Sequence, residues 1–224
     1  MELVGAPVNE LKPLITRSFE DWSKDGRSCA LSGGATALIF LGALRSAQVD
    51  WRKITLFWAD ERAVSPDDPD SNYGLAERML LSPLAARAPR AIRMPAETNL
   101  EQAAAWYDET LSLELAGAPL DLAILGVGED GHIASLFPGH PALSQNDLRV
   151  VAVEDAPKPP ARRLSLSMRY LLQTKKIWVI AIGPRKLPVL QAALNKTSSS
   201  TPLDLLMRQA KDVTVFTDQQ IRRG

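Results

Sequence analysis

The chain has 224 residues, 46% of them apolar and 23% charged, with 26 basic side chains balanced by 26 acidic ones. That balance leaves no whole-protein field able to concentrate nucleic acid or an anionic membrane strongly, and no apolar run approaches the roughly 18 residues a bilayer span requires. A lone cysteine, Cys29, excludes an internal disulfide, and two histidines without a Cys/His cluster leave no zinc-type ligand set. Length on this scale fits a single domain over residues 1–224. The opening MELVGAPVNELKPL places acid before base and has no basic segment leading into an apolar one, so the expectation is a soluble, cytoplasmic protein.

Along the chain, short apolar runs alternate with segments of helical period, the pattern of parallel strands joined by crossover helices; the expected class is α/β. Ser28–Leu31 predicts a strand with Cys29 as a small buried side chain, and a helix is predicted over Thr36–Ala47. Lys53–Trp58 predicts the next strand. The loop Val64–Ser71, carrying Pro66 and Pro69 among aspartates, leads to helices over Asn72–Leu81 and Leu100–Leu115. Strands are then predicted at Asp121–Leu125, Val150–Val153, Arg163–Ser167, Ile177–Ile182 and Val213–Thr217, with helices at Pro184–Leu194 and Pro202–Gln209. Ala156–Ala161, with three prolines, reads as a loop able to border a ligand, as does Val64–Ser71. The serine run Thr197–Thr201 reads as a surface loop.

Four segments carry chemistry. In LSGGATALIFLGAL a strand passes through Ser32 into Gly33 and Gly34 and then a helix begins near Thr36, so free amides and the positive end of the helix dipole suit a phosphate; a purely structural turn has the same signature. In FWADER a strand ends in Asp60, Glu61 and Arg62, at the side of an open α/β sheet where ligands bind. A solvated, salt-bridged strand end is the alternative. DLAILGVGEDGHIASLFPGH places His132 directly after a glycine-rich turn. An imidazole with an unperturbed pKa of ~6.5 can take a proton from water and return it, and Asp130 is near enough in sequence to orient the ring. The same histidine could simply cap Ile133–Leu136, and His140, between Gly139 and Pro141, reads as a loop residue. Arg162, Arg163 and Lys186 are scattered cations able to complement an anion, or ordinary surface charges.

The pieces LSGGAT, FWADER with DSNYG, LGVGEDGHIASLFPG, RRLSLS and IAIGPRK together resemble the glucosamine-6-phosphate isomerase/6-phosphogluconolactonase family, on its lactonase side, and they span Leu31 to about Leu194. The resemblance implies a Rossmann-like domain with a mainly parallel sheet flanked by helices. It further implies hydrolysis of 6-phospho-D-glucono-1,5-lactone to 6-phosphogluconate in the oxidative pentose phosphate pathway, without a cofactor. Carried onto this chain, it makes His132 the proton acceptor, with Asp60 and Asp130 near the reacting end. Ser32, Gly33, Gly34, Thr36, Arg62, Arg163 and Lys186 become substrate-binding candidates, and no metal is called for. Partners beyond the phosphorylated lactone are not implied: no nucleic acid, no membrane, a monomer or weak homo-oligomer. This chain departs from the family pattern at Ala35 and Ala37, where SGGSTP is usual, and at Asp68, where a histidine is often found. An amino-sugar-phosphate isomerase/deaminase is the alternative within the family, but that branch resembles AFNEP where this chain has Ala134–Pro138, without the acid. A sugar-phosphate sensor without catalysis is the alternative from another class.

Overall fold

Apolar runs without a polar face become the interior of one seven-stranded sheet, as strands covered on both faces must. The structure, a computed structural model, describes residues 1–145, 147–197 and 200–221. In chain order the elements are β1 (Glu2–Gly5), α1 (Val8–Trp22), β2 (Ser28–Leu31), α2 (Ala37–Ser46), β3 (Thr55–Trp58), β4 (Asp60–Arg62), α3 (Asn72–Ala76), α4 (Ser82–Leu84), β5 (Arg90–Ala91), α5 (Leu100–Glu114) and β6 (Leu122–Gly126). They continue with β7 (Val150–Val153), β8 (Arg163–Leu166), α6 (Met168–Gln173), β9 (Lys176–Ala181), α7 (Leu187–Leu194), α8 (Pro202–Gln209) and β10 (Val213–Thr217).

The large sheet runs β1-β10-β9-β6-β2-β3-β5, and every pairing in it is parallel. From β2 the chain advances outward through β3 to β5, and then returns to β6 on the other side of β2 and proceeds through β9 to β10. The order therefore reverses between β2 and β6, which is where an open α/β sheet leaves a crevice at its carboxyl edge. Cys29 is fully buried in β2, and burial drives its thiol pKa well up, so it is a packing residue.

The predicted α/β class and mainly parallel sheet hold, with one addition. β7 and β8 leave the parallel sheet and pair antiparallel with each other and with β4, forming a three-stranded sheet in the order β4-β8-β7. A short loop can join antiparallel neighbours, whereas parallel ones need a crossover. β1, α1, β4, α4, β5 and α6 were not among the predicted elements. The strand predicted at Lys53–Trp58 starts at Thr55, after a 3₁₀ turn over Trp51–Lys53, and the helix predicted from Pro184 begins as a 3₁₀ turn over Pro184–Lys186. Side-chain caps mark other starts: Asn99 accepts from Gln102 N at 3.0 Å, and Thr201 and Asp204 form a reciprocal box at α8. Of the serine run, Ser198 and Ser199 lie outside the described residues.

α1 buries Leu11, Ile15 and Phe19 from one face and packs beside α2. Phe19 meets Trp51 at 5.3 Å between ring centroids and Trp178 of β9 at 6.4 Å, tying the helix to the sheet. No described helix is long and apolar enough to cross a membrane.

Candidate active site

A cleft of about 400 Å³ opens at the carboxyl ends of β2 and β6, within the range of roughly 300–1,000 Å³ usual for small-molecule sites. Its walls hold nine of the ten residues singled out from sequence: Ser32, Gly33, Gly34, Thr36, Asp60, Arg62, His132, Arg163 and Lys186. The tenth, Asp130, is held against His132 just behind the wall.

The β2–α2 turn supplies one wall. Ser32 Oγ accepts from Gly126 N at 2.8 Å and so ties the turn to β6. Gly33 leaves room for Asn72, whose Oδ1 would lie 1.7 Å from a Cβ there, and Gly34 adopts φ +82° with open space beside it. α2 starts at Ala37 without a side-chain cap, and Ala37 N and Ile39 N donate to the carbonyls of Gly34 at 3.0 Å and Thr36 at 3.1 Å, so the amide capacity at this wall belongs to the turn before the helix. Ala35 lines the cleft and Ala37 is buried, which places the first family departure at the site itself.

β4 accounts for the charged triplet. Strand alternation sends Asp60 and Arg62 to the cleft and Glu61 to the other face. There Glu61 accepts from Arg62 N at 2.8 Å, Asn72 N at 2.8 Å, Tyr73 N at 2.7 Å and Ser71 Oγ at 3.2 Å, anchoring α3. Burial raises its pKa, opposed by these hydrogen bonds. The alternative of a solvated strand end is excluded, because Asp60 and Glu61 are 2% and 3% exposed. Asp60 Oδ2 accepts from Ser135 Oγ at 2.8 Å, while its buried Oδ1 has no partner among the described residues. Arg62 donates through Nη1 to the Asp70 carbonyl at 2.8 Å and leaves its buried Nε unpaired. The Val64–Ser71 loop reaches Arg62 through that carbonyl. Asp68, the other family departure, accepts from Asp70 N at 2.8 Å within the loop.

The turn after β6 carries the imidazole. Gly128 is required here, since a Cβ would meet His132 Nδ1 at 1.9 Å and Asp130 Oδ1 at 2.4 Å. Asp130 Oδ1 lies 2.5 Å from His132 Nδ1, and Asp130 Oδ2 lies 2.9 Å from Lys158 Nζ. Burial opposes ionisation of Asp130, but the hydrogen bonds from Lys158 and His132 hold its pKa down to about 2. An ionised Asp130 only accepts, so Nδ1 carries the proton and the lone pair of neutral His132 sits on Nε2, which has no hydrogen-bond partner among the described residues. Burial lowers the His132 pKa, Asp130 opposes that shift and Lys158 adds to it. Phe137 lies beneath the ring at 4.6 Å between centroids. His132 is therefore not a mere cap, whereas His140 is structural: its Nε2 meets Asp155 at 2.9 Å and its Nδ1 accepts from Ala142 N at 3.1 Å.

The scattered cations separate. Arg162 points away to Glu154, at 2.7 Å. Arg163 is a buried wall residue whose Nε and Nη2 are engaged by the carbonyls of Pro160 at 2.8 Å, Lys158 at 2.9 Å and Pro159 at 3.3 Å; its Nη1 reaches Ser135 Oγ at 3.4 Å. Lys186 has no ion pair among the described residues, and burial lowers its pKa, with Glu129 opposing. Sequence reasoning missed Lys158, Ser135 and Arg185. The proline-rich loop was legible as a ligand border, but nothing in PKPP tells that Lys158 reaches Asp130. Among the described residues no three His, Cys, Asp or Glu side chains gather as a metal site.

Three comparisons bear on this geometry. The family described as "Glucosamine-6-phosphate isomerases/6-phosphogluconolactonase" matches residues 8–216. A 6-phosphogluconolactonase of Mycobacterium tuberculosis is 36% identical over 175 residues, which cover 73% of this chain and 71% of the relative. The crystal structure of a 6-phosphogluconolactonase from Shewanella baltica superposes with a TM-score of 0.86 at 26% identity, covering 97% of each chain. A monomeric glucosamine-6-phosphate deaminase superposes with a TM-score of 0.80 at 21% identity over 98% of each chain, a likeness of fold alone.

Proposed function

The chain belongs to the glucosamine-6-phosphate isomerase/6-phosphogluconolactonase family, and from that premise we propose that it hydrolyses 6-phospho-D-glucono-1,5-lactone to 6-phosphogluconate with His132 as the base. The observation that carries this reading is a neutral imidazole fixed through Nδ1 to Asp130, with Nε2 unpaired, in the same cleft as Arg62 and Lys186.

A six-membered lactone is an activated ester, so a positioned water suffices. As the water oxygen bonds to C1, His132 Nε2 takes its proton, and Asp130 stabilises the imidazolium that forms. Charge collects on the former carbonyl oxygen, and Arg62, a cation of the cleft wall, is assigned to receive it. When that oxyanion collapses, the bond from C1 to the ring oxygen breaks, and His132 returns its proton to the leaving oxygen. Asp60, a residue of the cleft wall held by Ser135, is assigned to the reacting end.

The phosphate is assigned to the amides of the Gly33–Gly34 turn with Thr36 and Lys186, an uncapped helix start joined by a cation without an ion pair among the described residues. Anchoring the substrate there directs its binding energy to orienting C1. Arg163 contributes through the loop it holds. The same reading takes residues 1–224 as one functional unit, cytoplasmic, a monomer or weak homo-oligomer in the oxidative pentose phosphate pathway.

The isomerase/deaminase reading is disfavoured at Phe137, which stands where that branch resembles a glutamate; the group beneath His132 is an apolar ring. Two assays and a titration separate the readings. Freshly generated lactone is followed above its spontaneous hydrolysis, glucosamine 6-phosphate is followed for ammonia release, and 6-phosphogluconate binding is titrated. Lactone acceleration without ammonia release is the expected result. Ammonia release would make the chain a deaminase, and binding with neither turnover would make it a sensor.

A further inference from the structure

Lys158 sits on the loop between β7 and β8, and sequence alone gives it no role. Its Nζ lies 2.9 Å from Asp130 Oδ2 and 3.4 Å from His132 Nδ1. The loop is not left to find this position by itself. Arg163, at the start of β8, donates to three successive carbonyls, those of Lys158, Pro159 and Pro160. The same guanidinium lies 5.4 Å from the centroid of Phe137, the ring that supports His132 from beneath.

We infer that Lys158 is a positioning residue for the lactonase reaction: it holds Asp130 against Nδ1 of His132, keeping Nε2 as the proton acceptor, and Arg163 fixes the loop that carries it. The inference rests on the lactonase reading for its chemistry, but its geometry concerns the free protein. By taking the second oxygen of Asp130, Lys158 leaves Oδ1 alone to receive the Nδ1 proton, which selects the tautomer. An ammonium 3.4 Å from Nδ1 also opposes the imidazolium. The charged groups facing His132 are Asp130 on its own turn, Lys158 from the β7–β8 loop and Asp60 from β4, while Lys186 interacts electrostatically with Asp130, Lys158 and Glu129. Of these, the two carboxylates Asp130 and Asp60 favour the charged ring, and Lys158 is the cation set against it. A plain surface ion pair is the competing explanation, since the Lys158 side chain is 44% exposed and such pairs contribute about 0–1 kcal/mol to stability. A surface pair in which Lys158 swings freely in solvent, away from the ring, would leave the imidazole unaffected.

Only two histidines are present, so proton–carbon NMR of the imidazole Cε1–H groups resolves His132 from His140, with His132→Asn as the assignment control. In wild type, His132 should titrate below the ordinary value of ~6.5. Lys158→Met, which keeps the stem and removes the charge, should move the His132 midpoint up by about half a unit to one unit and leave His140 in place. Lys158→Arg should restore the wild-type midpoint, and Arg163→Lys should move it in the direction of the Met variant. The acid limb of kcat/KM should shift with the NMR midpoint. An unmoved His132 midpoint in a folded Lys158→Met protein would overturn the inference, as would an Arg variant that behaves like Met. A weaker KM with an unmoved midpoint would make Lys158 a substrate contact instead. Since NMR needs no substrate, a shifted midpoint in a wild-type protein without lactonase activity would sink the functional reading and leave the positioning role intact.

Discussion

At the amino edge of the parallel sheet, Asp121 accepts from Arg27 N at 2.8 Å, Ser28 N at 3.0 Å and Ser28 Oγ at 3.0 Å through one oxygen, and from Lys175 Nζ at 2.7 Å through the other. At the carboxyl edge, Asp60 is more deeply buried, yet one of its oxygens has no partner among the described residues. Nε of Arg62 shares that condition, and Nε2 of His132, a residue of the cleft wall, has no hydrogen-bond partner among the described residues. A buried polar group left unpaired costs about 1–3 kcal/mol, a cost the fold also carries at Trp51 Nε1 and the Tyr170 hydroxyl, so what sets Asp60 and Arg62 apart is that both line the cleft. The saturated carboxylate of Asp121 ties β2 to the start of β9; the unsaturated one of Asp60 lines the cleft.

Removing the base tests the contrast most severely. His132→Asn should keep the fold and slow lactone opening roughly 10²-fold or more, after subtraction of spontaneous hydrolysis. Near-wild-type turnover would take His132 out of the reaction. Next in size, Lys186→Ala should cut the preference for the phosphorylated lactone over its unphosphorylated analogue by roughly 10- to 100-fold, the worth of one charge-assisted contact. Equal losses on both lactones would place Lys186 at the reacting centre or in the fold.

The tied edge should respond in the opposite currency. Asp121→Ala should lower unfolding stability by about 1.5–3 kcal/mol in denaturant titration while kcat stays at the wild-type level. Burial works to raise the Asp121 pKa, but Lys175 and the backbone amides outweigh it and the folded value is lowered. Its stabilisation is therefore complete above the unfolded carboxyl value of ~3.9 and is lost as pH falls through the lower folded value. A pH-independent stability difference between wild type and Asp121→Ala across that window would contradict the assignment. The smallest expected effect is none: chelation with EDTA should leave the lactonase rate unchanged, because the water is activated by an imidazole with a lowered pKa. A rate that collapses and returns with a divalent metal would force Asp60, Asp130 and His132 to be reread as ligands.

How much of this was legible in the sequence follows from where the information lies. Most of the cleft residues follow strands β2, β3, β6 and β9, so a strand pattern and the carboxyl-edge rule locate them together, with Lys158 and Arg163 of β8 the exceptions. His132 was legible because a glycine-rich turn precedes it, and Gly128 proves to be the residue that makes room for it. Lys158 and Ser135 were not, since their significance comes from contacts 28 and 75 residues distant in sequence, to Asp130 and to Asp60. β4 was hidden because three charged residues do not read as a strand; pairing with β8 and the burial of Glu61 against α3 override propensity. In α1 the stripe Leu11, Ile15, Phe19 carries the helical period, but Pro13 interrupts the segment that would announce it.

The account stands on the division of one cleft into a reacting end and a phosphate end, and a crystal structure with 6-phosphogluconate bound reads that division directly. The carboxylate at C1 should lie within hydrogen-bond reach of His132 Nε2 and Arg62, with the phosphate on the amides of the Gly33–Gly34 turn and on Lys186. A product bound the other way round, with its phosphate at His132 and its carboxylate at the glycine turn, would contradict it.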